Sequence, residues 1–443
     1  MTASSTTLRA AAVGLALAFG GLAWLLADAV GPRGRAAMGA LCFIAVCAAC
    51  SADLSAVRWR TILWGIAIQL GLAMMILRFE VGGVKPGYAF FSAVGDGVRR
   101  FLEFSNQGAL FVFGPLASPA LLEQAFGAGN SFVFAVTALP TIIFISSFFT
   151  ILYYFGILQF IVWVMARAMM YALKTSGAET LAAAANVFMG QTEAPIIVKP
   201  YVPEMTQSEL LALMVGGMAT ISGGVMAVYI GLGADPIAIL TTSVMAAPCG
   251  LYLSKLLLPE LARPRTGGAI ALKVERHHVN VIDAASAGAS DGLTLALNVM
   301  AMLIAFLALI AMIDALLGWA WAGLTLARVF SVVFAPVAFL MGVPAQDIPA
   351  MADLLGTKLV ANEFVAFVKL TTEYKGVVDP RTHILATYAL TGFANLGSIG
   401  IQLGGIGAMA PTRRGDLARL GARALLAGFL ATLINACVAS MFL

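Results

Sequence analysis

From Ser131 to Ala166 the chain carries no charged residue. Such a run exceeds the ~20 apolar residues needed to cross a bilayer, and in water it would expose more apolar surface than a soluble core can hide. Apolar segments recur near 8–30, 36–52, 62–79, 131–155, 156–172, 209–232, 236–258, 292–316, 323–342, 384–410 and 417–442. Only 11% of all residues are charged and 61% are hydrophobic, whereas soluble domains carry about a quarter charged residues. A soluble globular protein is excluded, and an all-α polytopic membrane protein is predicted. The apolar run at 9–30 is longer than the ~7–15 residues of a signal-peptide core, so it is read as a retained first helix.

The net charge of +4 is small, and its placement says more. Basic residues cluster at Arg33/Arg35, at Lys85 with Arg99/Arg100, across Lys255–Arg276, and at Arg413/Arg414. Cytoplasmic loops carry the excess of Lys and Arg, which predicts that these four stretches lie inside. Three spans precede Lys85, so the N-terminus is expected outside; Arg58 and Arg60 fall on the wrong side in that scheme. No basic run is interleaved with aromatics as a nucleic-acid surface would be. The five cysteines sit in apolar segments, and Cys47-Ala-Ala-Cys50 lacks the βαβ context of a redox motif. They are read as inert, lipid-buried thiols. His277 and His278 lie in the most polar region, 259–283, with no Cys or acidic cluster to complete a metal site.

Three other stretches depart from the spanning pattern. Residues 84–110 mix Phe, Val and Leu with charges at helical spacing, which predicts an amphipathic helix along the membrane surface. Residues 176–200 and 344–372 each hold apolar segments too short to span, broken midway by polar residues. Each contains a Glu near the break (Glu193, Glu363) with an Asn nearby (Asn186, Asn362), and each precedes an apolar helix dense in Gly and small polar residues. Paired interrupted segments in corresponding positions of two halves point to a transporter's binding site. Non-helical backbone at membrane depth is tolerated only where it is buried in protein or lines a cavity. Two facing re-entrant hairpins meet that requirement.

A charge at a helix centre costs ~2.5–3.5 kcal/mol on the insertion scale, so Glu193 and Glu363 are expected to face a cavity, a partner or a ligand. Lys199 and Lys369 follow six residues later, at segment ends where a Lys snorkels toward water. Gln191, Thr192 and Glu193 together offer an amide, a hydroxyl and a carboxylate. Asn395 and Ser398, three apart, share a helix face, and Phe393 could supply a flat apolar wall. The inferred ligand is polar, uncharged and rich in hydroxyls, with room for a cation beside the two carboxylates. An intramembrane enzyme using Glu193 and Glu363 as an acid/base pair is the rival reading; no intramembrane His or Ser–His arrangement supports it. A passive channel fits two pseudo-repeated hairpins less well than alternating access does.

GQTEAP at 190–195, NEF at 362–364 and GFANLGSIG at 392–400 strongly resemble the concentrative nucleoside transporters, as do RWRTILWGIAIQ at 58–69 and LYYFGILQ at 152–159. These motifs run in the family's order over nearly the whole chain. The resemblance implies eight transmembrane helices, two re-entrant hairpins, an inner surface helix (84–104) and an outer one (323–341), and a homotrimer scaffolded by 292–316. The implied organisation is N-terminal helices at 1–83, the surface helix at 84–110, a first half of the transport core at 131–258, scaffold and outer helices at 292–342, and a second half at 344–443. Carried over by position, Gln191, Thr192 and Glu193 contact the nucleobase with Val225 beside it, whereas Glu363, Asn395 and Ser398 contact the ribose and Phe393 lines the sugar. A sodium site falls on Asn186, Thr220 (a serine in the family pattern), and the carbonyls of Met189 and Ile221. The resemblance thus implies a sodium-driven nucleoside symporter of the cell inner membrane with elevator-type alternating access. Some bacterial members use protons and depart from GQTE, which this chain keeps. Gly190 beside Gln191 leaves space for purines as well as pyrimidines.

Overall fold

The structure, a computed structural model, describes residues 5–127, 133–266 and 278–443. Three apolar helices come first: α1 (Ser5–Leu25), α2 (Ala27–Ala49) and α3 (Trp59–Leu77). Helix α4 (Pro86–Phe113) and the short α5 (Pro119–Phe126) follow. Although α4 is long enough to span, its contacts gather at one end of the bundle. A Cβ on Gly87 would press on Met75 at the end of α3, and one on Gly95 would meet Pro236. It lies across that end, as its amphipathic sequence predicts.

Two units of one plan make up the rest. The first comprises α6 (Phe134–Tyr154), α7 (Ile157–Leu173), α8 (Gly177–Ala185), α9 (Ala194–Ile197), α10 (Gln207–Ala219), α11 (Gly223–Leu232) and α12 (Pro236–Leu257). The second comprises α13 (Val281–Ala320), α14 (Leu326–Val333), α15 (Ala335–Leu340), α16 (Ile348–Val360), α17 (Glu363–Thr371), α18 (Pro380–Leu390), α19 (Leu396–Met409) and α20 (Arg414–Phe442). Each unit offers a long helix, helix across the surface, hairpin of short helices, helix broken midway, and full-length helix. The long helices α6 and α13 pack together through Gly288 and Gly292, one turn apart. A Cβ on either would come within 2.8 Å of α6, so small residues let the backbones approach.

The two units run in opposite senses, and buried charges fix each hairpin at its own end. Ser176 and Glu179 form a capping box at the start of α8. Lys255, at the end of α12, pairs with Glu179 at 2.5 Å and with Glu260 at 3.4 Å. Ser176 Oγ donates to Glu209, in the first turn of α10, at 2.5 Å. At the opposite end Asp347 accepts from the Asp379 N–H at 3.0 Å and from Thr382 Oγ1 at 2.6 Å. Arg381 there donates to the carbonyls of Gly342 and Ser440, each at 2.9 Å. Lys369 does not snorkel: it forms an ion pair with the buried Asp353, tying α17 to α16.

Several expectations are revised by this arrangement. The basic stretches do not share a face. Arg9 donates to the Ala52 carbonyl, the Ala52 N–H bonds Leu257 O at 2.8 Å, and Arg413 bonds the carbonyls of Pro203 and Met205. These contacts place Arg58/Arg60, residues 255–265 and Arg413/Arg414 at one end. Arg33 instead reaches the Leu443 carbonyl and Arg35 the Val343 carbonyl, which puts them at the other end with Lys85 and Arg381. The first end gathers more Lys and Arg, so the basic-loop rule now assigns it to the cytoplasm, together with the start of α1. The apolar segment 156–172 is not an independent span, because α7 turns away from α6 by 72°. The surface helices α4 and α14–α15 share one end of the bundle, with α7 at the opposite end, rather than dividing as inner and outer. Cys50 is exposed at the end of α2, and all five cysteines are free. His277 lies outside the described residues.

Orientation is open to direct measurement. In a Cys50→Ser chain in right-side-out vesicles, an impermeant maleimide should label a cysteine placed at Lys375 and spare one placed at Arg263 until the membrane is permeabilised. The reverse pattern would invert the assignment.

Candidate functional site

The segments 209–232 and 384–410, read from sequence as continuous helices, are each broken midway. Thr220 caps the end of α10 by donating Oγ1 to the Gly216 carbonyl at 2.9 Å. Thr391 does the same after α18, bonding Thr387 O at 2.6 Å. Fresh N-caps restart both helices: Ser222 Oγ accepts from Val225 N–H at 3.4 Å, and Asn395 Oδ1 from Ser398 N–H at 2.9 Å. Hydroxyl and amide side chains compete locally with the helical ladder and are favoured at caps. The two breaks also satisfy one another, since Phe393 N–H donates to Thr220 O at 3.1 Å. Gly392 permits the approach: its φ is 154°, and a Cβ there would sit 2.6 Å from Thr432 Cγ2 and 3.0 Å from Met218 O.

Each hairpin tip is delivered to these breaks. The first tip docks through Gly223 N–H, which donates to Phe188 O at 2.8 Å. Glu193 is steadied by the Gly190 N–H at 3.0 Å, yet its side chain stays open to a cavity. Gln191 is buried, and its Nε2 donates to Ser398 Oγ at 3.2 Å. Thr192 packs its methyl against Gly405. The second tip begins at Asn362, which caps α17 through Val365 N–H at 2.8 Å. Next to it the Glu363 carboxylate accepts from Tyr229 Oη at 3.1 Å and from Asn395 Nδ2 at 2.9 Å.

Gln191, Thr192, Glu193, Val225, Glu363, Phe393, Asn395 and Ser398 all line one cavity of about 190 Å³. Sequence reasoning missed its far wall and two of its polar groups. Leu295, Val299, Leu303 and Phe306 of α13 form an apolar stripe across it, legible as a helical period that a uniformly apolar segment had hidden. Tyr229 is the second omission; it lies four residues after Val225 and so on the same face. Ser222 is the third. Glu193, Ser222 and Leu295 also border a second cavity of about 330 Å³ that reaches His278 and Asp291. His278 is therefore less peripheral than its loop position suggested; it also lies 3.6 Å from Asp283.

Asn186, Met189, Thr220 and Ile221 do not line the first cavity; Met189 lines the second, and Asn186 lies against Gly216, whose carbonyl accepts from the Thr220 hydroxyl at the end of α10. Asn186 is 1% exposed, and neither amide atom has a hydrogen-bond partner. A buried amide left without partners is costly, and its oxygen, with the Thr220 hydroxyl and nearby carbonyls, is the donor type a hard cation takes. The residues present fit a sodium ion.

Inverted units whose broken helices and hairpin tips enclose a polar pocket midway through the bundle define a secondary transporter. Residues 38–116 and 238–440 match the N- and C-terminal regions of the Na+ dependent nucleoside transporters, and residues 135–236 a nucleoside recognition gate. An uncharacterised transporter of Haemophilus influenzae is 42% identical, with 92% of this chain and 97% of that protein covered. The mouse sodium/nucleoside cotransporter 1 is 40% identical, over 97% of this chain and 67% of its own length. Among solved structures, CNTnw in an inward-facing substrate-bound state is 39% identical, with a TM-score of 0.87, covering 92% of this chain and 97% of that one. A CNTnw variant in an outward-facing state gives 38% and 0.86 over 93% and 97%. The chain belongs to the concentrative nucleoside transporter family.

Tyr229 tests the geometry of the pocket. Tyr229→Phe removes one donor to Glu363, and a hydrogen bond to a charged group is worth about 1.5–3 kcal/mol. Because this bond is made in the ligand-free protein, the thermal unfolding midpoint without nucleoside should fall, and nucleoside affinity, read by equilibrium binding, should weaken as Glu363 loses one of the two groups that hold it.

Proposed function

We propose that the protein is a symporter that imports nucleosides across the cell inner membrane, driven by a sodium gradient. The observation that carries this reading is the pocket itself. One hairpin tip brings Gln191, Thr192 and Glu193, the other brings Glu363, and the restart of the second broken helix brings Asn395 and Ser398 to one cavity. Glu363 is the ribose anchor: a carboxylate accepts from two neighbouring sugar hydroxyls, and charge-assisted bonds are the strong ones. Asn395 holds that carboxylate in place and, with Ser398, adds sugar contacts, while Phe393 lines the sugar. Gln191, Thr192 and Glu193 take the nucleobase edge, with Val225 packed beside it. The Gln191 amide oxygen is buried without a hydrogen-bond partner, as a group awaiting a ligand donor would be. Purines and pyrimidines both fit this role, since Gly190 adds no side chain beside Gln191.

Sodium is assigned to Asn186 and Thr220 with the carbonyls of Met189 and Ile221, and it supplies the driving gradient. The hairpins with α10–α11 and α18–α19 form the moving element. They slide as an elevator against the scaffold of α6 and α13, whose apolar stripe offers a surface without polar contacts to break. The homotrimer implied by the family is assigned to the outer face of α13, where Ile304, Met312 and Trp319 are exposed.

Proteoliposomes given labelled uridine or adenosine should accumulate the unaltered compound when an inward sodium gradient is imposed. Accumulation that ignores sodium and follows a proton gradient would replace sodium with a proton in this reading. Glu363→Ala should weaken uridine binding by about 10- to 150-fold, the equivalent of ~1.5–3 kcal/mol. Unchanged binding in that variant would remove the ribose role.

A further inference from the structure

The second repeat contains a lysine that the proposed transport site leaves unused. Lys358 lies in α16 at 0% exposure, among the largest fully buried side chains. Its Nζ donates to the Ala389 carbonyl in the last turn of α18 at 2.7 Å and to Thr432 Oγ1 of α20 at 2.9 Å. The Phe429 ring centroid is 5.5 Å away. Its direct partners are thus a carbonyl, a hydroxyl and an aromatic face rather than a carboxylate. Burying an ammonium is costly unless its surroundings replace water, so this placement needs a counterpart in the design of the site.

The inverted repeat supplies one. Thr220 and Thr391 are equivalent: each follows the first half of a broken helix and bonds the carbonyl four residues back. In the first repeat, the end of α8 meets the broken helix with Asn186, whose amide has no hydrogen-bond partner and lies against Gly216. In the second repeat, the last turns of α16 meet the broken helix with Lys358. The Ala389 carbonyl, two residues before Thr391, and the Thr432 hydroxyl of the adjoining α20, oxygens of the kind a hard cation takes, are there given to an ammonium.

We propose that Lys358 is a resident cation, occupying in the second repeat the place that the ion pocket around Asn186 occupies in the first. It joins the second hairpin to its broken helix permanently, whereas the first hairpin depends on a dissociable ion. One sodium per nucleoside follows. The inference rests on the sodium-symport reading above.

The test is equilibrium binding of uridine to purified protein over a range of sodium concentrations. By linkage, the slope of log(1/Kd) against log sodium, below saturation, counts the ions taken up with the nucleoside, so the parent should give about one. Lys358→Gln replaces the ammonium with an amide oxygen, as in Asn186. Its slope should rise toward about two, with affinity at least ~10-fold weaker at low sodium and recovered at high sodium. A folded Lys358→Gln with the parent's slope overturns the proposal, whether or not its affinity falls. If that variant does not fold, the parent decides: about one charge moved per uridine in proteoliposomes supports a single ion pocket, and about two overturns it. A parent indifferent to sodium would instead overturn the sodium reading.

Discussion

Midway through a bilayer no water is at hand to satisfy a backbone group, so a helix broken there must find its partners within the protein. The whole site follows from how this chain meets that demand. Threonine hydroxyls take carbonyls at the ends of α10 and α18, Ser222 and Asn395 cap the restarts, and the two breaks bond to each other through Phe393 and Thr220. Each break then presents polar groups that would be untenable in a continuous helix. Asn395 spends its Oδ1 on the cap and its Nδ2 on Glu363, so one side chain serves both the fold and the pocket.

The carboxylates are tolerated for the same reason. Glu363 has two donors from two different helices, Tyr229 of α11 and Asn395 at the head of α19. Tyr229 is in turn clamped by Phe367, stacked at 4.1 Å, and by Phe364 at 5.4 Å, both on the hairpin helix that carries Glu363. Away from the tips, ion pairs around Lys255 hold one hairpin base, and hydrogen bonds to the Asp347 carboxylate hold the other at the opposite end of the molecule. A firm base with a tip held by hydrogen bonds alone leaves the tip as the part free to respond to a ligand.

The sequence made the hairpins visible because a Glu and an Asn interrupt apolar segments too short to span, and it did so twice. All eight residues expected to touch the ligand line a single cavity. The breaks in α10–α11 and α18–α19 were not legible, because GGMATISGGV and TGFANLGSIG are apolar or small throughout; the cap is set by which hydroxyl finds which carbonyl, a tertiary outcome. Tyr229 escaped notice for a related reason, since its hydroxyl sits in a run whose other members pack as core. The charge-based topology failed because it put all four basic stretches on one side, whereas Arg33/Arg35 with Lys85 lie at one end and residues 255–265 with Arg413/Arg414 at the other. Lys358 was equally hidden, its sequence neighbours giving no sign that an ammonium four residues before Asn362 would be fully buried.

Coupling has a physical route in this geometry. On the proposed assignment, the ion is held by Thr220 and Ile221 on one side of the first break, and Ser222, the next residue, lines the nucleoside cavity. Thr220 also accepts the Phe393 N–H, and Phe393 is a wall of the same cavity. Ordering of these three residues by either ligand therefore prepares the surface used by the other. Any gain in nucleoside affinity from the ion must be matched by an equal gain in ion affinity from the nucleoside. At the second break the Ala389 carbonyl, in the last turn of α18, already accepts from the Lys358 ammonium, whose other oxygen partner is Thr432 of α20. On that assignment, the asymmetry between the two repeats, one with a buried amide lacking partners and the other with a lysine bonded to two oxygens, confines the ion-sensitive step to the hairpin that carries Glu193.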